Sequence, residues 1–260
     1  MILCPRCGHH RGSDESHVHP GICPACGIAY AKWRQHHDGS ASTEDHAPSA
    51  RQRRDDAADA TLPERLWLQL TEVPQTAGPE AFFLRVLLLL ALLIWGLRFI
   101  MKGIDAVAIM GSFLHGVDLA FHEFGHIFFR PFGDFMTILG GSLFQVLLPL
   151  ALLVLFVVRQ RDNFAAAVAL WWCGQNFIDL APYIRDAQYR ALPLVGGGGE
   201  ESHDWGNLLT RLDAIESCYT LARVSFMIGT ALMLLAIAWG AWLLWLQHTR
   251  SQATHWNTDR

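Results

Sequence analysis

The chain has 260 residues, 52% of them hydrophobic and 17% charged, with a formal net charge of −4. Soluble domains carry about 25% charged residues, so charge is scarce, and the small negative balance argues against a nucleic-acid partner gripped through its phosphates. Charge is denser in residues 1–80, which hold 19 of the 44 charged residues, while long apolar runs fill 81–250, a division that points to a protein embedded in a lipid bilayer.

Residues 1–33 form a cysteine-rich unit. Four of the six cysteines lie there, as Cys4-Pro-Arg-Cys7 and Cys23-Pro-Ala-Cys26. Each Cys-x-x-Cys turn aims two thiolates at one ion, and two such turns supply a tetrahedral set. Gly8 and Gly27 follow the second cysteine of each pair, where a tight turn favours a residue that tolerates positive φ. The expectation is a zinc ribbon in which Cys4, Cys7, Cys23 and Cys26 hold a structural zinc, since four thiolates leave no open position for a substrate. His9, His10, His17 and His19 read as surface residues. No apolar run precedes Cys4, so no signal peptide is expected there, and reduced cysteines favour a cytosolic N-terminus.

Residues 34–62 contain almost no large apolar side chain and read as a flexible linker. Within 63–80, the stretch that begins at Leu62 and ends at Leu70 has apolar residues at helical spacing and suits an amphipathic juxtamembrane helix. A membrane domain is expected over 81–250, followed by a tail at 251–260. Its five predicted segments are Ala81–Met101, Ala106–Phe129, Phe135–Val158, Phe164–Ile184 and Val224–Gln247. The third and fifth have no charged residue, and each is longer than the ~20 residues that a span requires. The excess of Arg on loops that share a side with the N-terminus also favours a cytosolic N-terminus. The predicted fold is therefore an all-α membrane protein of about five transmembrane helices, with a small zinc ribbon on a flexible linker. Between the last two segments, Gly196–Gly199 reads as a hinge, followed by Glu200-Glu-Ser-His203-Asp204-Trp205. That loop is either a plain surface connection or a flap near a site.

The second segment carries the chemistry. His115, Asp118, His122 and His126 are spaced by three, four and four residues, which places them in one narrow stripe at about 100° per residue. Glu123 lies beside the stripe. An ionisable group at mid-bilayer costs about 2.5–3.5 kcal/mol on insertion scales, so several on one helix need partners. A divalent cation gripped by His122 and His126 is one such partner. In His122-Glu123-Phe-Gly-His126 the glutamate then sits beside the ion, placed to take a proton from water that the metal has acidified.

These residues resemble the site-2 protease family of intramembrane metalloproteases, over roughly residues 81–247. The family's first motif is matched by His122, Glu123 and His126. Its Gly-rich second motif is similar to Gly140-Gly-Ser-Leu-Phe-Gln145 with Pro149 after it, Gln145 standing where the family has Asn. The nearest match to the third motif is Gln175-Asn176-Phe-Ile-Asp179-Leu-Ala-Pro182, without the family's Asp-Gly after the proline. The resemblance implies a zinc-dependent endopeptidase acting on a membrane-protein substrate. Glu123 would be its general base, and His122, His126 and an aspartate would hold the catalytic zinc. Asp179 is favoured as that aspartate, with Asp186 the runner-up and His203 in the loop a distant third. Gln145 and Asn176 are candidates to hold the substrate backbone. No PDZ-like insert separates the third and fourth segments, so substrate selection falls to other parts, and the ribbon is a candidate to bind a protein partner. The rival reading is a catalytically inactive relative that keeps the site for metal binding or regulation, which the departures in the second and third motifs favour. A metal transporter is weaker, because only the second and fourth segments are polar.

Overall fold

The computed structural model describes residues 3–10, 12, 15, 18–30, 32, 33, 61–73, 78–194, 199 and 202–258. It divides into two compact units, Met1–Ala60 and Thr61–Arg260. The expected linker lies outside the described residues apart from Thr61 and Leu62, as does the Gly-rich hinge apart from Gly199.

In the N-terminal unit the two Cys-x-x-Cys turns are built alike. The amide of Cys4 donates to the His9 carbonyl and that of Gly8 to the Cys4 carbonyl, each at 2.9 Å. Cys23 and Gly27 repeat the pattern on Ile28 and Cys23 at the same distances. Gly8 and Gly27 sit at φ 71° and 70°, the left-handed conformation that the sequence pattern required. Single antiparallel bridges, Leu3 to His10 and Ile22 to Ala29, close each turn. Among the described residues there is no longer strand.

In the second unit the described secondary-structure elements are all helices. Helix α1 (Leu62–Leu70) starts at a cap where Glu64 accepts from both the amide and the hydroxyl of Thr61, at 2.7 and 2.9 Å. None of its residues is buried. Its far end is tied down by side-chain bonds to backbone: Asn163 Nδ2 donates to the carbonyls of Gln69 and Glu72, and Trp239 Nε1 donates to that of Leu70.

Helix α2 (Pro79–Lys102) is followed by a break that the apolar pattern concealed. The predicted single segment 106–129 is two helices, α3 (Ala106–Met110) and α4 (Phe113–Phe129). Asp105 caps α3 by accepting from the amides of Val107 and Ala108. Gly111 ends it, and Ser112 turns extended to cap α4 by accepting from the His115 amide at 3.2 Å. Local side-chain caps of this kind compete with a continuous helix. Helix α5 (Asp134–Leu155) runs on through a wider turn at Phe156–Gln160. Helices α6 (Asn163–Arg185), α7 (Asp204–Arg211) and α8 (Cys218–Thr258) complete the unit. The backbone of α8 continues well past Gln247, into the segment expected to be a tail.

Among the described residues, three helices are long and apolar enough to cross a membrane: α2, α5 with its extension, and the α8 region from Ile215 to Arg250. The other two predicted spans form helices of a different kind. Helix α4 has 17 residues, about 25 Å at ~1.5 Å per residue. Helix α6 has 23 residues but is buried along most of its length and carries Gln175, Asn176 and Asp179 inside. It is the central helix, and its neighbours form the apolar exterior. Leu84, Ile94, Met101, Phe113, Ile127 and Met227 all point outward and are more than half exposed, an arrangement suited to lipid rather than water.

Glycines let the helices approach closely. A Cβ on Gly125 would strike the Gly140 carbonyl, and one on Gly140 would lie 2.7 Å from the Gly125 carbonyl, so α4 and α5 cross there. Gly174 and Gly229 make the matching contact between α6 and α8. Small residues at helix crossings are the usual packing device where lipid removes the hydrophobic driving force. The main apolar core joins Leu92 and Phe99 of α2, Ile109 of α3, Trp171 and Ile178 of α6, and Met233 and Ala236 of α8.

Candidate metal centre

Among the described residues, two groups of side chains bring at least three metal-ligand atoms within 4.8 Å of one another. The first is Cys4, Cys7, Cys23 and Cys26. The closest sulfur pairs, Cys4 with Cys26 and Cys7 with Cys23, stand 3.7 Å apart, and all four cysteines are free. Four thiols in this compact arrangement fit a tetrahedral metal and can hold one.

The second group is His122, His126 and Asp204. Because His122 and His126 are one helical turn apart on α4, their rings lie together, with centroids 4.9 Å apart. One oxygen of Asp204 lies 3.0 Å from His122 Nε2 and 3.3 Å from His126 Nε2. The opposite ring nitrogens are occupied. His126 Nδ1 is 2.8 Å from the Thr137 carbonyl, which can only accept, so this nitrogen carries the hydrogen. His122 Nδ1 is 3.1 Å from Gln145 Oε1, and the same assignment follows. Both Nε2 atoms then face the Asp204 carboxylate, an arrangement that needs a positive charge among the three, either an added proton or a bound cation. A divalent cation fits that requirement, and carboxylate or carbonyl partners behind ligating imidazoles are the usual support for it. Gly141 leaves the room, since a Cβ there would come within 2.5 Å of His122 Nε2 and 2.6 Å of His126 Nε2.

Asp204 comes from the loop between α6 and α8. It is the first residue of α7, whose cap is His203: the imidazole Nδ1 accepts from the Gly206 amide at 3.0 Å. His203 Nε2 approaches Asp186 Oδ2 at 3.3 Å, and Asp186 also accepts from the Leu192 amide at 2.8 Å. Burial pushes the wholly enclosed His203 ring below its ordinary pKa, against the pull of Asp186. Tyr183 of α6 meets Asp204 twice, accepting from its amide at 2.9 Å and donating to its carboxylate at 3.3 Å. Trp205 Nε1 donates to Ser142 on α5 at 3.0 Å. The loop is thus pinned to two helices on either side of its acid.

The residues named from sequence are placed as follows. His122, Glu123, His126, Gln145 and Asp179 line one cavity of about 410 Å³, to which the loop adds Asp204. Glu123 is exposed at its wall, and its carboxylate makes no hydrogen bond among the described residues. Asp179, favoured as third ligand, is bound instead to His115 Nδ1 (3.0 and 3.1 Å) and to Gln145 Nε2 (3.0 Å). Asp186, the runner-up, faces His203 and the Leu192 amide. His203 caps α7 and turns its second nitrogen to Asp186. Asn176 is fully buried and bonds back to the Trp172 carbonyl of its own helix, so it is not part of the cavity wall. Asp118 accepts from Trp172 Nε1 at 2.8 Å in a closed interior. Sequence reasoning missed Asp204, Tyr183 and Thr137 as parts of the site. The only available signal for Asp204 was an acid after His203 at the head of a short helix, in the loop already suspected of reaching the site.

No family model, no curated protein and no solved structure matches this chain. The likeness to site-2 proteases therefore rests on the sequence motifs alone.

Proposed function

We propose that the protein is a membrane-embedded zinc endopeptidase, with zinc at His122, His126 and Asp204 and a second, structural zinc on the four cysteines. The observation that carries this reading is the convergence of two imidazole nitrogens and a carboxylate in one cavity whose wall also holds Glu123. Two nitrogens and one oxygen are a donor set that suits zinc. Held by His122, His126 and Asp204, zinc would supply Lewis-acid activation of the scissile carbonyl and of a water. Glu123 accepts that water's proton and returns it to the departing amine. Asp204 and the two imidazoles stay fixed by Tyr183, Thr137 and Gln145, so little reorganisation accompanies the reaction. The apolar cavity residues Met110, Leu119, Ile138 and Leu194 exclude bulk water and suit an apolar substrate segment, as a membrane protein would offer. In this reading α2 to α8 make a bundle of five membrane helices, α4 and α6 being the two that the apolar helices shelter, and the N-terminus lies in the cytosol.

The test is Glu123→Gln, which preserves size but cannot take up a proton. Membranes from cells carrying wild-type or Glu123→Gln protein are compared for new peptide termini in membrane proteins. Termini present only with wild-type protein are expected. Identical termini in both, with metal retained in both, would replace the enzyme by a metal-binding relative without catalysis.

A further inference from the structure

We infer that Asp179 is a positioning residue, the end of a polar relay Asp179–Gln145–His122 that sets which ring nitrogen His122 presents to the metal. The inference rests on the metal site proposed above. A glutamine amide has nearly the same shape with its oxygen and nitrogen exchanged, so Gln145 alone could either accept from His122 Nδ1 or donate to it. Donation would force the hydrogen to Nε2 and close that nitrogen to a metal. Asp179 removes the ambiguity. An ionised carboxylate only accepts, and its Oδ2 lies 3.0 Å from Gln145 Nε2. The amide NH₂ must therefore face Asp179, the amide oxygen must face His122 Nδ1 at 3.1 Å, and the Nε2 lone pair is left toward Asp204. His115 steadies the far end, its Nδ1 within 3.1 Å of both Asp179 oxygens.

The comparison with His126 supports this. Its Nδ1 meets a backbone carbonyl directly, a group that can only accept. Each ligand imidazole is thus backed by an acceptor-only group, His126 at first hand and His122 through an amide. His122, Gln145 and Asp179 are each at most 5% exposed, so water is poorly placed to substitute for a missing link. The relay also accounts for the glutamine on α5, a helix otherwise apolar for most of its length, and for an aspartate on α6 that does not reach the ion.

The test moves the carboxylate one link along. Gln145→Glu alone sets two carboxylates against each other. Asp179→Asn alone loses the acceptor-only end. Combined, they restore every donor and acceptor. The carboxylate now at position 145 accepts from His122, and the amide now at position 179 donates to that carboxylate while accepting from His115. The affinity of the full-length protein for zinc alone is measured by competition with a chromophoric chelator, and folding is monitored by the unfolding temperature in excess chelator. Each single substitution is expected to weaken the membrane-site zinc about 10- to 100-fold, the range for lost support behind a ligand, and the pair to recover most of that loss. Recovery where a single variant fails to fold counts equally for the relay. Losses that add in the double variant, or a double variant that does not fold, overturn it. Single variants with wild-type affinity also overturn it. If wild-type protein binds no zinc beyond the cysteine site, the metal reading falls and the relay with it.

Discussion

Gly141→Ala is the smallest change that should empty the membrane site. The added methyl carbon would stand 2.5 Å from His122 Nε2, 2.6 Å from His126 Nε2 and 2.7 Å from His122 Cδ2. Ordinary contacts begin near 3.4 Å, so the difference, 3.4 − 2.5, requires about 0.9 Å of movement at the closest point. Metal–ligand distances tolerate about 0.2 Å. The rings cannot yield easily, because Thr137 and Gln145 hold their far sides. Overpacking of this kind costs about 1–3 kcal/mol in stability, which a bundle can survive, whereas the metal geometry cannot. Metal analysis of purified protein should fall from about two ions per chain to about one, with the apoprotein's unfolding temperature only modestly lowered. Retention of the second ion at wild-type affinity would refute the placement of the ion beside Gly141.

Asp204→Asn removes the anionic donor and should abolish membrane-site metal. Asp186→Asn keeps an acceptor for His203 and the Leu192 amide and should leave it nearly intact; equal losses in the two, scored by metal content, would contradict Asp204 as ligand. Reporters fused to the two ends should read cytosolic at the N-terminus and external at the C-terminus, as the five membrane-crossing helices proposed above require. Both ends on one side would exclude that count.

The legible parts were those whose chemistry is local. The Cys-x-x-Cys turns, with Gly8 and Gly27, and the pair His122 and His126 are fixed by a few consecutive residues, and backbone geometry brings them together whatever the rest of the chain does. Asp204 is far from the motif in sequence and reaches it only because Tyr183 and Trp205 anchor a short helix. No periodicity connects such a residue to its site. Asp179 attracted attention for a sound reason, a carboxylate on an apolar helix, but burial alone does not say whether such a group meets the ion or its supporting side chains. The break at Gly111–Ser112 was hidden because hydropathy is continuous across it, while the decisive feature is one hydroxyl capping one amide. Helix α6 had the length of a span, and its polar residues become understandable only once it stands inside the bundle.

The most direct measurement is X-ray absorption at the zinc edge on a full-length Cys4→Ser, Cys7→Ser variant, in which the thiolate site is dismantled and only the membrane site remains. The account predicts one zinc per chain with no sulfur neighbour. Nitrogen and oxygen ligands should lie at about 2.0–2.2 Å, with the outer-shell scattering of two imidazoles, and the signal should vanish with Asp204→Asn. Absence of zinc from this variant, a shell containing sulfur, or a signal unchanged by Asp204→Asn would contradict it.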